Sequence, residues 1–189
     1  MGFLDILTGK RKVKQPAESR LFAMSTAAVH LEMSMDLRSS GKAAIVFQPL
    51  ATADFESIVT DMEEVLRGTG EDTGTQVDRT DDSFGYRWMV LSDEDFEDLV
   101  VALNTVSTEL QGGGYGDRLL AAVFPFEEEG KAIYFIYNFK RGAYYPFVPA
   151  PGDKARDSER ELRIKAQLGG ELPWEEDMAR WFPLWEIPL

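Results

Sequence analysis

The single histidine, His30, lies between Val29 and Leu31, so any triad or imidazole-bound metal would rest on one ring with apolar neighbours. That setting suits a structurally satisfied histidine better than a general base. Cysteine is absent, which removes disulfides, zinc–thiolate sites, iron–sulfur clusters and thiol nucleophiles together. Asp93, Glu94, Asp95, Glu97 and Asp98 form the densest acidic group, with oxygen ligands of the kind Mg²⁺ or Ca²⁺ accepts. Consecutive carboxylates at a helix start diverge, however, and a helix N-terminus stabilises negative charge without an ion. Gly68-Thr69-Gly70-Glu71-Asp72-Thr73-Gly74 misses the G-x-G-x-x-G spacing by one residue and sets two carboxylates where a pyrophosphate would lie. Gly112 to Asp117 follows a helical pattern and precedes a strand, the reverse of what a phosphate cradle needs. Neither G-x-S-x-G nor H-E-x-x-H occurs. The expectation is a non-enzymatic protein without metal or cofactor.

Aromatic residues are the other conspicuous chemistry. Tyr134, Phe135, Tyr137, Phe139, Tyr144, Tyr145 and Phe147 flank Lys140-Arg141-Gly142, a pattern reminiscent of sheets that stack RNA bases. Ala143 and Tyr144 reverse the order such a motif requires, and a net charge of −13 opposes a phosphate backbone. Nucleic acid is therefore excluded, and cross-strand packing is the plainer role. Trp174, Trp181 and Trp185 are interleaved with Glu175, Glu176, Asp177 and Glu186, and so much apolar surface must be covered somewhere. Either these residues dock on the protein's own sheet or they anchor a partner. On the second reading Trp174, Trp181, Trp185, Tyr137, Tyr144 and Tyr145 are candidate partner-binding residues. The N-terminus carries Phe3, Leu4, Ile6 and Leu7 before Lys10, Arg11, Lys12 and Lys14, giving residues 1–20 a net charge of +3. Phe3, Leu4 and the four cations are candidates for contact with an anionic membrane surface, each cation adding about 1 kcal/mol.

The elements that must position these residues are partly legible. A chain of 189 residues, 44% hydrophobic and 12% aromatic, can bury a core and is not a disordered chain. No run of 18 apolar residues exists and the start lacks a basic n-region, so neither a membrane span nor export is expected; the expected location is cytoplasmic. Residues 29–37 alternate as a strand would, while Met24, Ala28, Leu31 and Met35 also fit one helix face; a hairpin over 29–48 is the favoured reading. Phe55, Ile58, Val59, Met62, Val65 and Leu66 predict a helix ended by Gly68, followed by a loop over 68–74. Strands are predicted at 75–79, 86–91, 118–126, 132–139 and 143–148. Ser92 with Asp95 resembles a capping box opening a second helix along Phe96, Leu99, Val100, Leu103, Val106 and Leu110. Residues 153–168 are helical by propensity but mostly charged. The prediction is an α+β protein: a mostly antiparallel sheet with two to three helices on one face, arranged as split βαβ or repeated ββα. Its parts are a basic segment (1–20), the α+β domain (21–150), and a charged helix with a Trp-rich tail (151–189) docked on that domain.

Several longer stretches carry a resemblance: Met1-Gly2-Phe3-Leu4-Asp5, Leu21 to Val29, Gly85 to Leu91, Gly114 to Phe124, Tyr137 to Gly142, and Leu172-Pro173-Trp174-Glu175. Through them the chain resembles the PspA-associated PspAB family of actinobacteria and archaea over almost its full length. The resemblance implies an accessory or adaptor protein of a phage-shock, PspA-type envelope-stress response, with a PspA-like coiled-coil protein as partner. An HtpX-type membrane protease is a further partner it implies. No catalytic residues come with the resemblance. The expected role is protein binding at or near the inner face of the membrane. Alternatives are a small metal-assisted hydrolase or protease cofactor, and a chaperone-like adaptor for unfolded chains.

Overall fold

Lys42–Phe47 is apolar at five successive positions, all buried, so this strand has to be covered on both faces. It is β2 of the computed structural model, which describes residues 20–189. Before it come helix α1 (Ala23–Met35) and the short β1 (Arg38–Ser39). After it come α2 (Ala53–Thr73), β3 (Gln76–Asp81), β4 (Arg87–Ser92), α3 (Phe96–Gly112), β5 (Leu119–Glu128), β6 (Lys131–Asn138) and β7 (Ala143–Phe147). A small hairpin of β8 (Pro149–Ala150) and β9 (Ala155–Arg156) leads into α4 (Ser158–Leu168).

The main sheet runs β3-β4-β2-β5-β6-β7, with β1 also beside β5, and every pairing within it is antiparallel. The β3–β4 hairpin flanks β2 on one side and β5 flanks it on the other, so 42–128 form the split-βαβ arrangement and not repeated ββα units. Two prolines mark where the ladder needs no amide. Pro146 lies in the edge strand β7, and Pro125 in β5 falls between the stretches that pair with β1 and with β2.

Alternate residues divide the core into two layers. Ala43, Ile45 and Phe47 pack with all four helices, whereas Ala44 and Val46 face the opposite layer, where Trp181 is buried. The α+β class and the antiparallel sheet are as expected, but among the described residues four helices lie on one face instead of two or three.

The additional helix is α1, and it corrects the hairpin reading of 29–48. Residues 23–35 are rich in Ala and Met, strong helix formers, and the buried side is Met24, Ala27, Ala28 and Leu31. The alternation misled because Val29 and Met33 are apolar yet exposed. Asp36 ends the helix in the left-handed conformation, its amide donating to the Leu31 carbonyl.

Gly68 does not end α2, which continues to Thr73 and stops at Gly74 (φ 97°). Thr69 and Thr73 sustain this last stretch by donating to the carbonyls of Val65 and Thr69. Nor does Ser92 open α3: the cap is Asp95, which accepts from the Glu97 amide at 2.8 Å. In α4 the buried stripe is Glu161, Ile164 and Leu168, a helical spacing with a carboxylate at its first position.

Two glycines of α2 have opposite requirements. A Cβ on Gly68 would meet nothing within 4 Å, whereas one on Gly70 would lie 2.1 Å from the Thr75 carbonyl oxygen. Gly68→Ala is therefore expected to stabilise the protein by about 0.5–1 kcal/mol. Gly70→Ala should destabilise it by about 1–3 kcal/mol. Chemical denaturation of the two variants checks the pair; the same sign for both would contradict this packing.

Candidate functional site

The C-terminal segment crosses the sheet at its β7 edge. Tyr144 donates its amide to the Pro173 carbonyl (2.7 Å), and the Glu175 amide donates back to Tyr144 (2.8 Å), a parallel bridge beside Trp174. Beyond it Trp181 lies beneath the second face, its indole donating to the Glu175 carbonyl at 2.9 Å. Arg156 holds this turn in place. Its guanidinium donates to the buried Glu161 carboxylate (2.7 Å) and to the Trp181 carbonyl (2.6 Å), and lies 5.6 Å from the Phe147 ring centre. Glu161 also accepts the Val148 amide at 2.9 Å, so its buried charge is matched by both a cation and an amide. Glu175, likewise buried, is paired with Arg141.

Past Trp181 the segment closes over the sheet incompletely. A cavity of about 350 Å³ remains at the end of the sheet where β2 and β6 finish and β4 and β5 begin. Its floor is Val46, Trp88, Ala121 and Tyr145, and its roof is Phe182 to Glu186. Trp185 closes one side against Phe147 in an edge-to-face contact of 5.0 Å. The β3–β4 turn forms another wall. Asp82 organises it by accepting the amides of Phe84 and Tyr86 and the Trp88 indole, each at 2.9 Å. Phe84 and Phe182 on this rim remain 67% and 58% exposed, an apolar surface at the mouth of the cavity. Lys140 and Lys154 complete the lining from two further turns.

A second surface lies on the helix side. Phe22, Thr26, Val29 and Met33 are all exposed, Met33 at 81%, and their spacing places them along one side of α1. The sequence reading missed this stripe, having assigned Val29 and Met33 to a strand.

The structure separates the residues that sequence pattern had grouped. Tyr137 and Tyr144 are internal on the helix side of the sheet, and Tyr145 is buried on the other. Burial pushes the Tyr137 phenol up to about 12 and raises Tyr144 and Tyr145 too. The Tyr144 hydroxyl donates to the Leu21 carbonyl (2.6 Å) and that of Tyr145 to Phe182 (3.0 Å). The aromatic strands are thus core, and burial removes Tyr137, Tyr144 and Tyr145, named above as candidate partner-binding residues, from the surface a partner would meet. Trp181 is buried as well; Trp174, whose indole donates to Gly169, and Trp185 are partly buried. Phe3, Leu4, Lys10, Arg11, Lys12 and Lys14 lie outside the described residues.

His30 pairs with Glu171, linking α1 to the segment after α4. In the acidic group, Asp93 accepts the Thr75 hydroxyl (2.5 Å) and the Asp95 amide (2.8 Å), so two of its carboxylates organise the start of α3. Among the described residues no cluster of three acidic or histidine side chains has the geometry of a metal site, and no helix is long and apolar enough to cross a membrane.

The Glu175 pair has a pH signature. Burial pushes this carboxyl up, but the Asp177 amide and the Arg141 guanidinium outweigh it and hold the group below its ordinary value. The unfolded chain therefore takes up this proton first as pH falls. Stability from this site is complete above the unfolded value of about 4.3 and is lost as pH drops through the lower native one. Glu175→Gln is expected to lower the melting temperature at neutral pH and to flatten its fall between about pH 5 and pH 3. Parallel melting curves for the two proteins across that range would contradict the assignment.

No curated protein and no solved structure shows significant similarity to the chain. The sequence model of one family, PspAB, described as PspA associated protein B, matches residues 1–189, the whole chain. With that match added to the resemblance of its motifs, the chain belongs to the PspAB family.

Proposed function

We propose that this protein is a non-enzymatic accessory factor of PspA, acting through protein–protein contacts in an envelope-stress response on the cytoplasmic side of the membrane. The full-length family match carries the reading, because the family is described by its association with PspA. The stripe of Phe22, Thr26, Val29 and Met33 on α1 supports it. Residues at this spacing suit packing against another helix, and the partner implied by the resemblance is a coiled coil. Knobs from such a helix would cover Val29 and Met33 and remove their apolar surface from water.

Light scattering after size exclusion tests the contact, with the chain alone and mixed with PspA of the same organism. A complex of fixed stoichiometry is expected. The double variant Val29→Glu with Met33→Glu should weaken it by about tenfold or more while leaving the melting temperature unchanged, since both side chains are exposed. No complex at tens of micromolar would sink the partner assignment, and undiminished binding by the double variant would sink the stripe.

A further inference from the structure

The lining of the cavity beneath the C-terminal segment sets two cations, Lys140 and Lys154, against two carboxylates, Asp82 and Glu186, and so is far less acidic than the chain. The protein carries −13 overall, yet the two cations of the lining, Lys140 and Lys154, are exposed and their amino groups have no partner among the described residues. The two carboxylates of the lining are both engaged. Asp82 accepts two amides and the Trp88 indole, and Glu186 accepts the Ser83 hydroxyl at 3.2 Å. The formal charges of the lining sum to zero, but its carboxylates already accept hydrogen bonds while its two amino groups make none among the described residues.

Apart from Tyr86 and from Asn138, whose side-chain oxygen accepts the Arg141 amide, the remaining walls are apolar. Val46, Leu120, Ala121, Tyr145, Leu184 and Trp185 surround the space, and Phe84 and Phe182 extend that surface outward. A volume of about 350 Å³ falls in the range of small-molecule sites and is too small to admit a helix. Glu186 has a left-handed backbone (φ 62°), unfavourable for a residue with a side chain, at the point where the segment bends over the cavity. An apolar chamber with unpaired amino groups on its lining selects a ligand with the complementary division.

We infer that this cavity binds a single-chain anionic amphiphile, with the apolar chain among Val46, Leu120, Tyr145 and Trp185 and the anionic head toward Lys140 and Lys154. The site is independent of the proposed PspA contact, which uses α1 in the helix layer. Lysine offers a point charge without a fixed fork, so a carboxylate or a phosphate head would serve. Chain length should matter, with affinity rising roughly threefold to fourfold per added methylene until the chamber is full.

Calorimetric titration of the full chain with decanoate, decanol and decyltrimethylammonium, each below its aggregation threshold, tests the site. Tryptophan emission serves as a second readout. Decanoate is expected to bind saturably at one site, with decanol about tenfold weaker and the cation weaker still. The double variant Lys140→Glu with Lys154→Glu changes only exposed side chains, so it should keep its melting temperature. It should lose about tenfold for decanoate and little for decanol. Anionic phosphatidylglycerol vesicles separate two sources of the ligand: competition with decanoate that the double variant lacks places the source in a bilayer, and no competition places it in a free pool. Absence of saturable decanoate binding at millimolar concentration would overturn the inference. So would equal binding of decanoate and decanol, or an unchanged decanoate affinity in the double variant.

Discussion

A sheet whose strands are apolar on both faces must be covered twice, and the four helices among the described residues lie on one side. The second cover is the C-terminal segment, and a single cation does much to hold it there. Arg156 joins Glu161 of α4, the Trp181 carbonyl of the segment and the Phe147 ring of β7. Removing one partner of such a buried pair leaves the other charge uncompensated, which typically costs about 3–5 kcal/mol. The Arg156–Glu161 pair is thus a positional device: it fixes where the chain rounds the β7 edge and hence which residues reach the second face.

The same closure shapes the surfaces available for function. Strand β7 is the edge of the sheet, and Pro146 together with the Tyr144–Trp174 bridge leaves few of its backbone groups open to another strand. Trp174 and Trp181 are held by hydrogen bonds to Gly169 and Glu175 and serve the fold. What remains exposed lies elsewhere. Exposed apolar surface there includes the stripe of α1 and the mouth of the cavity where the segment stops short of the β3–β4 turn.

The parts of the fold governed by local pattern were legible in the sequence. The stripe of α3 and the strands around the Glu129-Gly130 and Arg141-Gly142 turns follow periodicity and turn chemistry, and the split-βαβ order was one of two arrangements it allowed. Three features were not legible, each because a residue's type disagrees with its place. Val29 and Met33 are apolar but exposed, so α1 imitated a strand. Glu161 is charged but buried, so α4 lacked a visible stripe until Arg156 supplied its counter-charge. Gly68 and Gly70 lie inside a helix, Gly70 because the chain at Thr75 approaches it too closely for a side chain. The cavity was also hidden, since Phe84, Lys140, Lys154 and Phe182 come from three turns and the C-terminal segment, which no spacing rule connects.

The C-terminal segment belongs to the folded core. Native-state hydrogen exchange of the Glu175 amide and the Trp181 indole, followed by NMR, tests this most directly. The Glu175 amide donates across the junction to the Tyr144 carbonyl, and the Trp181 indole, buried beneath the sheet, donates to the Glu175 carbonyl. If the segment is integral, both protons exchange only through global unfolding, with the same free energy as the amides of β2 and β5. Exchange of either proton at a rate near that of an unstructured chain, while β2 and β5 stay protected, would contradict the account.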